Sequence, residues 1–225
     1  MRYEAAFLSA DEQARVHETS LRILSDVGIR VHGDVALPLL AQAGAEVDTE
    51  GGLVKLPPSL VETALATAPR SFVLGARNPA HDYAVPSPVT RFAMDGTAAF
   101  TRDFVTGERR YGTRQDIVDA MRVFGSCDLT VMGWPPVAAN DQPVATRPLH
   151  EFAAMLTSTS KHGQHELHRR NQAPYLGAII SALAGGEDRA RERHEASLIY
   201  CPVAPLVHDG PMLDAYLDLG AWDVP

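Results

Sequence analysis

The apolar positions change period along the chain. Val16, Ile23, Leu24 and Val27 fall at helical spacing behind Ser9-Ala10-Asp11-Glu12, which reads as a capping box, and Gly28 suits the stop. A second helix is predicted after Asp34, with Leu37, Leu40 and Ala41 inward and Pro38 tolerated only in its first turn. "GLVKLPPSLVETALATAPR" predicts a short strand, a proline-initiated helix and a proline stop, and "SFVLGARN" a further strand. "VTRFAMDGTAAFTRDFVTGERR" predicts antiparallel strands joined at Asp95-Gly96 and turning again at Thr106-Gly107.

Beyond residue 110 strands and helices alternate. Thr113 with Asp116 is an acidic variant of the capping box, and Ile117, Ala120, Met121 and Phe124 form the helix face behind it. "DLTVMGWPP" reads as a strand, and Leu149, Phe152, Ala153 and Leu156 as a helix face. "KHGQHEL" is the next strand, followed by a helix with Tyr175, Leu176, Ile179, Ile180 and Leu183 inward. "ASLIYCPVAPL" is the last strand, and Leu213, Tyr216 and Leu217 open a helix that Gly220 stops. The strands start near Leu129, Lys161 and Ala196, 32 and then 35 residues apart. That rhythm is a βα repeat and implies a parallel sheet. No GxGxxG comes after any strand, which disfavours a dinucleotide-binding sheet. The expected architecture is α/β. A mixed α/β extension spans residues 1–110, and the first three to four βα units of a (β/α)8 TIM-type barrel span 111–225. The barrel is expected to be incomplete, because a whole one takes roughly 250 residues by itself.

Composition removes several function classes. The net charge of −8 argues against nucleic acid or an anionic membrane as partner, since both select for basic patches. Cys127 and Cys201 are the only cysteines, and without a CxxC they support neither a zinc knuckle nor a disulfide scaffold. No apolar run approaches the roughly 20 residues of a membrane span, and "MRYEAAFLSADEQ" lacks the apolar stretch of a signal peptide. A cytoplasmic location is expected.

Four stretches carry a family resemblance: "ILSDVGIRVHGDVALPLLAQAGAEVD", "KLPPSLVETALATAPRSFVLGARNPAHD", "DFVTGERR" and "SLIYCPVAPLVHD". Together they resemble the trimethylamine methyltransferase family of corrinoid-dependent enzymes, which act on trimethylamine, glycine betaine and related amines. The segment "KHGQHELHRRNQAPY" departs from that pattern. The resemblance implies a (β/α)8 barrel with an N-terminal extension. It also implies transfer of a methyl group from a methylated amine to a Co(I) corrinoid (cobalamin) carried by a separate partner protein, and a homo-oligomer at full length. Family members are about twice as long, so the chain is expected to be part of a longer protein. In the trimethylamine enzymes a pyrrolysine lies in the later half of the barrel, beyond the position of Pro225.

Barrel sites lie at the C-terminal ends of strands, which selects three places. After the first strand, Trp134 is placed to stack on a methylated ammonium, or else to pack between barrel and extension. After the second, His165 is a candidate substrate or proton contact, and Glu166, the only carboxylate of its segment, a candidate counter-charge. His162, His165 and His168 make a poor metal set, because alternation turns His165 away from the other two on a strand. No metal is expected. After the third strand, Pro202 and Pro205 end ladder pairing, so Cys201 is expected either to line a pocket wall or to be core. Asp95-Gly96 is read as a turn and Asp209 as a helix N-cap. Catalytic residues are not identified. Two other classes compete: a non-catalytic quaternary-amine-binding or interaction protein, and a zinc-dependent enzyme on the same fold, which would need three ligands.

Overall fold

Both capping boxes form. Ser9 Oγ accepts the Glu12 N–H and Glu12 accepts the Ser9 N–H at 2.8 Å, starting α1 (Ala10–Arg22). The computed structural model describes residues 7–220 and 222–224. A π-helical turn, Ile23–Val27, extends α1, and Gly28 ends it at φ 80°, a left-handed value that glycine adopts without a Cβ penalty. Then come β1 (Ile29–Val31), α2 (Ala36–Gln42), β2 (Glu46–Asp48), β3 (Leu53–Lys55) and α3 (Pro58–Thr67). They are followed by β4 (Phe72–Leu74), β5 (Tyr83–Val85), β6 (Phe92–Ala93), β7 (Phe100–Arg102), β8 (Arg109–Tyr111) and α4 (Arg114–Ser126). The rest of the chain forms β9 (Thr130–Gly133), α5 (Arg147–Ser158), β10 (His162–His165), α6 (Ala173–Ala184), α7 (Glu187–Arg193), β11 (Ala196–Leu198), β12 (Val207–His208) and α8 (Gly210–Gly220). Among the described residues no helix is long and apolar enough to cross a membrane.

The chain divides into two compact units. One comprises the residues up to Ala68 with Pro202–Gly210, the other Pro69–Cys201 with the residues from Pro211 on. The first unit carries a sheet in the order β12-β1-β3-β2. β1 and β2 pair antiparallel with β3, and β12 returns to pair with β1 in parallel, Arg30 opposite Val207. Its buried apolar residues include Ile29, Val31, Ala36 and Val54. Ala41, expected inward, is exposed; the short α2 covers the sheet through its first turn.

The second unit holds the sheet β11-β10-β9-β6, and every pairing in it is parallel. The βα rhythm of the sequence therefore has its predicted consequence. The sheet stays open, and no closed barrel is found among the described residues. Ile117, Met121 and Phe124 from α4, Phe152, Met155 and Leu156 from α5, Leu176 and Ile180 from α6, and Ala215 and Leu219 from α8 share one core. Tyr175, expected on the inward face of α6, is 64 % exposed; Leu176, Gly177 and Ile180 take that face instead.

Two further expectations are corrected, and one helix appears that the apolar pattern does not predict. Asp95-Gly96 is not a hairpin. β6 pairs in parallel with β9, and the ladder resumes past the break as Ala98 N–H donates to Pro136 O and Ala138 N–H to Ala98 O. The only antiparallel turn in that stretch is β7–β8, where Asp103 Oδ1 accepts the Val105 and Thr106 N–H groups. The last strand of the β11-β10-β9-β6 sheet stops at Leu198, short of Tyr200 and Cys201. Finally, α7 ("EDRARER") has no apolar face for a period to reveal. Its charges complement the helix ends, with acids in its first turn, arginines in its last and an Arg191–Glu187 pair at 2.7 Å, while Ala190 packs against the core.

Arg193, the last residue of α7, clamps the hairpin of β4 and β5. It donates to both Asp82 oxygens at 3.0 and 2.7 Å and to Ala76 O at 2.8 Å. Its guanidinium holds the Asp82 carboxyl below the usual range. Gly75 is pressed against the same segment, and a Cβ there would lie 1.7 Å from Arg193 O. Backbone cannot yield as a side-chain tip does. Gly75→Ala is expected to cost about 2–3 kcal/mol or more, read as a lower urea midpoint at unchanged slope.

Candidate functional site

Ligands of parallel α/β sheets bind beyond the carboxyl ends of the strands. At that end of β9, Trp134 lies over Gly96, where an added Cβ would be 2.6 Å from the indole Cδ1. The indole Nε1–H is buried and has no hydrogen-bond partner among the described residues. The rim beyond Trp134 is firmly tied. Thr97 Oγ1 donates to Pro135 O at 3.2 Å, and the Asn140 amide donates to Ala99 O at 3.2 Å and Ala138 O at 3.1 Å.

The end of β10 is tied to the same rim by one carboxylate. Glu151 on α5 is buried, accepting the Ala139 N–H at 2.7 Å through one oxygen and lying 2.8 Å from His165 Nε2 through the other. An ionised carboxylate only accepts, so His165 donates from Nε2. Its Nδ1 is buried without a partner among the described residues. The ring also packs against Phe152, centroids 5.2 Å apart. His165 thus points at α5, whereas His162 bonds on the other side of the strand. His162 Nδ1 lies 2.9 Å from Gly75 O and must donate; Nε2 then accepts from Ser197 Oγ at 2.8 Å, which in turn accepts from the Gln164 amide at 3.0 Å. Burial pushes the His162 pKa down, so this chain is neutral and fully satisfied.

Just past β10, Glu166 and His168 form an ion pair at 3.1 Å. The hydrogen bond from His168 holds the Glu166 carboxyl below its ordinary value against partial burial, and the same bond raises the His168 imidazole. Cys201 lies three residues past the end of β11 and is an exposed free thiol, as is Cys127. The structure thus brings Trp134, His165 and Glu166 to the strand ends and leaves Cys201 on the surface. Among the described residues no group of three or more His, Cys, Asp and Glu is arranged to hold a metal. Asp209 immediately precedes α8.

Two residues of this region carry no motif that singles them out in the sequence. Glu151 is one; an acid beside the apolar Phe152 on a core-facing helix is its only signal. Lys161, at the other end of β10, is the second. Its ammonium donates to Thr130 Oγ1 at 2.8 Å, to Phe124 O at 3.3 Å and to Cys127 O. It caps the carbonyl end of α4, where a cation complements the helix dipole, and burial lowers its pKa. The polar cleft beside it, about 180 Å³, includes His81, Asp82, Arg91 and Asp128, and lies at the N-terminal end of the strands.

An open, wholly parallel βα sheet with Trp134 and Glu166 at its strand ends defines an α/β protein. The chain belongs to the trimethylamine methyltransferase family, whose model (Trimethylamine methyltransferase, MTTB) matches residues 2–222. This is a family of methyltransferase enzymes. The trimethylamine methyltransferase MttB of Desulfitobacterium hafniense (strain DSM 10664 / DCB-2) is 31% identical over 201 residues, 89% of this chain and 40% of the relative. MttB1 of Methanosarcina mazei is 29% identical, over 88% of this chain and 41% of the relative. The glycine betaine methyltransferase of Desulfitobacterium hafniense (strain Y51) is 27% identical, over 93% of this chain and 43% of the relative. The chain therefore spans about two-fifths of the length of the curated relatives it matches.

Glu151→Ala would strand the Ala139 N–H and His165 in the interior. The expected loss is about 2–4 kcal/mol in chemical denaturation; Glu151→Gln keeps an acceptor for Ala139 and should lose less. The Glu166–His168 pair gives a pH signature. Glu166 is lowered, so its contribution is present above its ordinary 4.5 and fades as pH falls through the folded value. His168 is raised, so its contribution is complete below 6.5 and fades as pH rises through the folded value. Thermal midpoints measured against pH should show the pair's contribution largest between 4.5 and 6.5 and missing in His168→Asn.

Proposed function

We propose that the chain forms the amine-binding part of a corrinoid-dependent methyltransferase, taking a methyl group from trimethylamine or a quaternary amine such as glycine betaine. The parallel sheet is read as the first part of a (β/α)8 barrel. One observation carries the reading: family membership over residues 2–222, with Trp134 at the carboxyl end of a parallel strand. A Co(I) corrinoid on a separate partner protein would supply the nucleophile that accepts the methyl group. The residues present fit the amine rather than that cofactor, since an aromatic ring and a carboxylate both attract a cation, and none is assigned to the corrinoid.

The chain's own task is positioning and electrostatics. Trp134 offers its ring face to the methylated nitrogen, a cation–π contact of about 0.5–2 kcal/mol. Glu166 balances the charge. Through the carboxylate of Glu151, His165 holds the end of β10 to the rim that carries Trp134. When the N–CH₃ bond of a quaternary amine breaks, its electron pair stays on nitrogen and the leaving amine is neutral. No proton is needed to expel it. A slight preference for a quaternary betaine over trimethylamine results. Cys201, an exposed free thiol beyond the end of β11, is given no part in the chemistry, and the exposed free thiols suit a reducing cytoplasm.

The test is methyl transfer by the full-length protein from glycine betaine or trimethylamine to a Co(I) corrinoid protein, followed by the corrinoid's absorbance. Binding without transfer would make this a non-catalytic amine-binding protein. Trp134→Ala is expected to weaken binding of glycine betaine by about 0.5–2 kcal/mol in calorimetry. An unchanged affinity in a folded variant would return Trp134 to packing alone.

A further inference from the structure

In the free protein Glu166 already has a partner that is a cation whenever it is protonated. His168 Nε2 lies 3.1 Å from its Oε1, and the two differ in exposure: 22% for the Glu166 side chain against 50% for that of His168. The carboxylate is the covered partner, and the imidazole is the one that can leave toward water. The loop holding them is fixed at its backbone, since Gln172 Oε1 accepts both the His168 and Arg169 N–H groups. Any exchange of partner on Glu166 is thus a side-chain event on a tied loop.

We infer that His168 is an internal stand-in for the substrate's cationic nitrogen: it neutralises Glu166 in the amine-free protein and is displaced when a methylated ammonium binds there. The inference rests on the reading of Glu166 as the counter-charge of the amine. A quaternary ammonium has no N–H and competes by charge alone. It cannot share a carboxylate comfortably with an imidazolium a few ångströms away, because like charges disfavour one another. The least costly exchange is for His168 to lose its proton, which also ends the charge assistance of its hydrogen bond.

The surroundings set the sign. Four charged or titratable groups bear on the pair. Glu166 itself and Glu151 from α5 favour the imidazolium, and Arg147 at the head of α5 opposes it. His165 from β10 bears on Glu166. Protonation of His168 is favoured in the free protein. A bound ammonium adds to the opposing side. Amine binding and His168 protonation must then oppose each other, by the same factor in each direction. If the amine lowers the His168 pKa by about one unit, affinity differs by about tenfold between the deprotonated and protonated protein.

The test uses protein carrying ¹³C at histidine Cε1, with His168 assigned through His168→Asn. Its resonance is followed against pH in tetramethylammonium chloride, in glycine betaine, and in sodium chloride of equal ionic strength. Without amine, His168 should titrate above 6.5. With tetramethylammonium the midpoint should fall by about one unit, and affinity by calorimetry should drop about tenfold between about pH 8.5 and about pH 5.5. His168→Asn should flatten that dependence, and Glu166→Gln should lower both the His168 midpoint and the affinity. Amine binding with an unmoved His168 titration and a flat pH profile overturns the inference while leaving the amine reading standing. If neither salt binds at any pH, both fall.

Discussion

One buried carboxylate carries much of the order at the strand ends. Glu151 sits on α5, yet its two oxygens reach the loop after β9 and the last residue of β10. A charge in such a place is costly unless each lone pair finds a donor. Here the donors are a backbone N–H and an imidazole that come from separate segments, so the charge is stable only when both are in place. The position of the rim that carries Trp134 and the position of the strand that leads to Glu166 become a single condition. The parallel ladder supplies the frame, and Glu151 removes the slack between two of its loops.

Legibility tracks the range of the interaction. The capping boxes at Ser9 and Thr113 are contacts between residues three apart, and they are readable from a few letters. The parallel sheet is readable from the spacing of its strands, because a crossover needs a helix's worth of chain. β6 escapes a sequence reading, since two residues carry no period and their partner lies in β9, a long way along the chain. α7 is invisible to an apolar template, as six of its seven residues are charged and Ala190 alone reaches the core. At the site, Trp134, His165 and Glu166 stand out because each lies at or just past the end of a strand. Strand position alone does not show that His165 turns toward α5, nor that Glu166 is already paired, because both depend on side chains outside the motif. Cys201 is displaced from its expected place because the strand does not extend through Tyr200 but ends sooner.

The polar groups of the sheet sort into two populations. His162, Ser197 and Gln164 form a closed neutral chain in which each group named has its complement. Such a network stiffens the sheet and offers nothing to a ligand. At the strand ends the valences are open among the described residues: an indole N–H without an acceptor, an imidazole nitrogen without a donor, and a carboxylate whose partner is itself titratable. That contrast separates the satisfied interior of the sheet from its strand ends.

The return of β12 to the first unit has a consequence for the order in which the protein assembles. During synthesis β1, β2 and β3 emerge early and can pair through short connections. The outer edge of β1 stays unpaired until Val207 and His208 have been made, later in the chain than β6, β9, β10 and β11. An open strand edge is a template for pairing with another chain, and closing so long a loop comes late. The N-terminal unit is therefore begun before the strands of the parallel sheet and closed only after β11, and β12 acts as the latch that retires its edge.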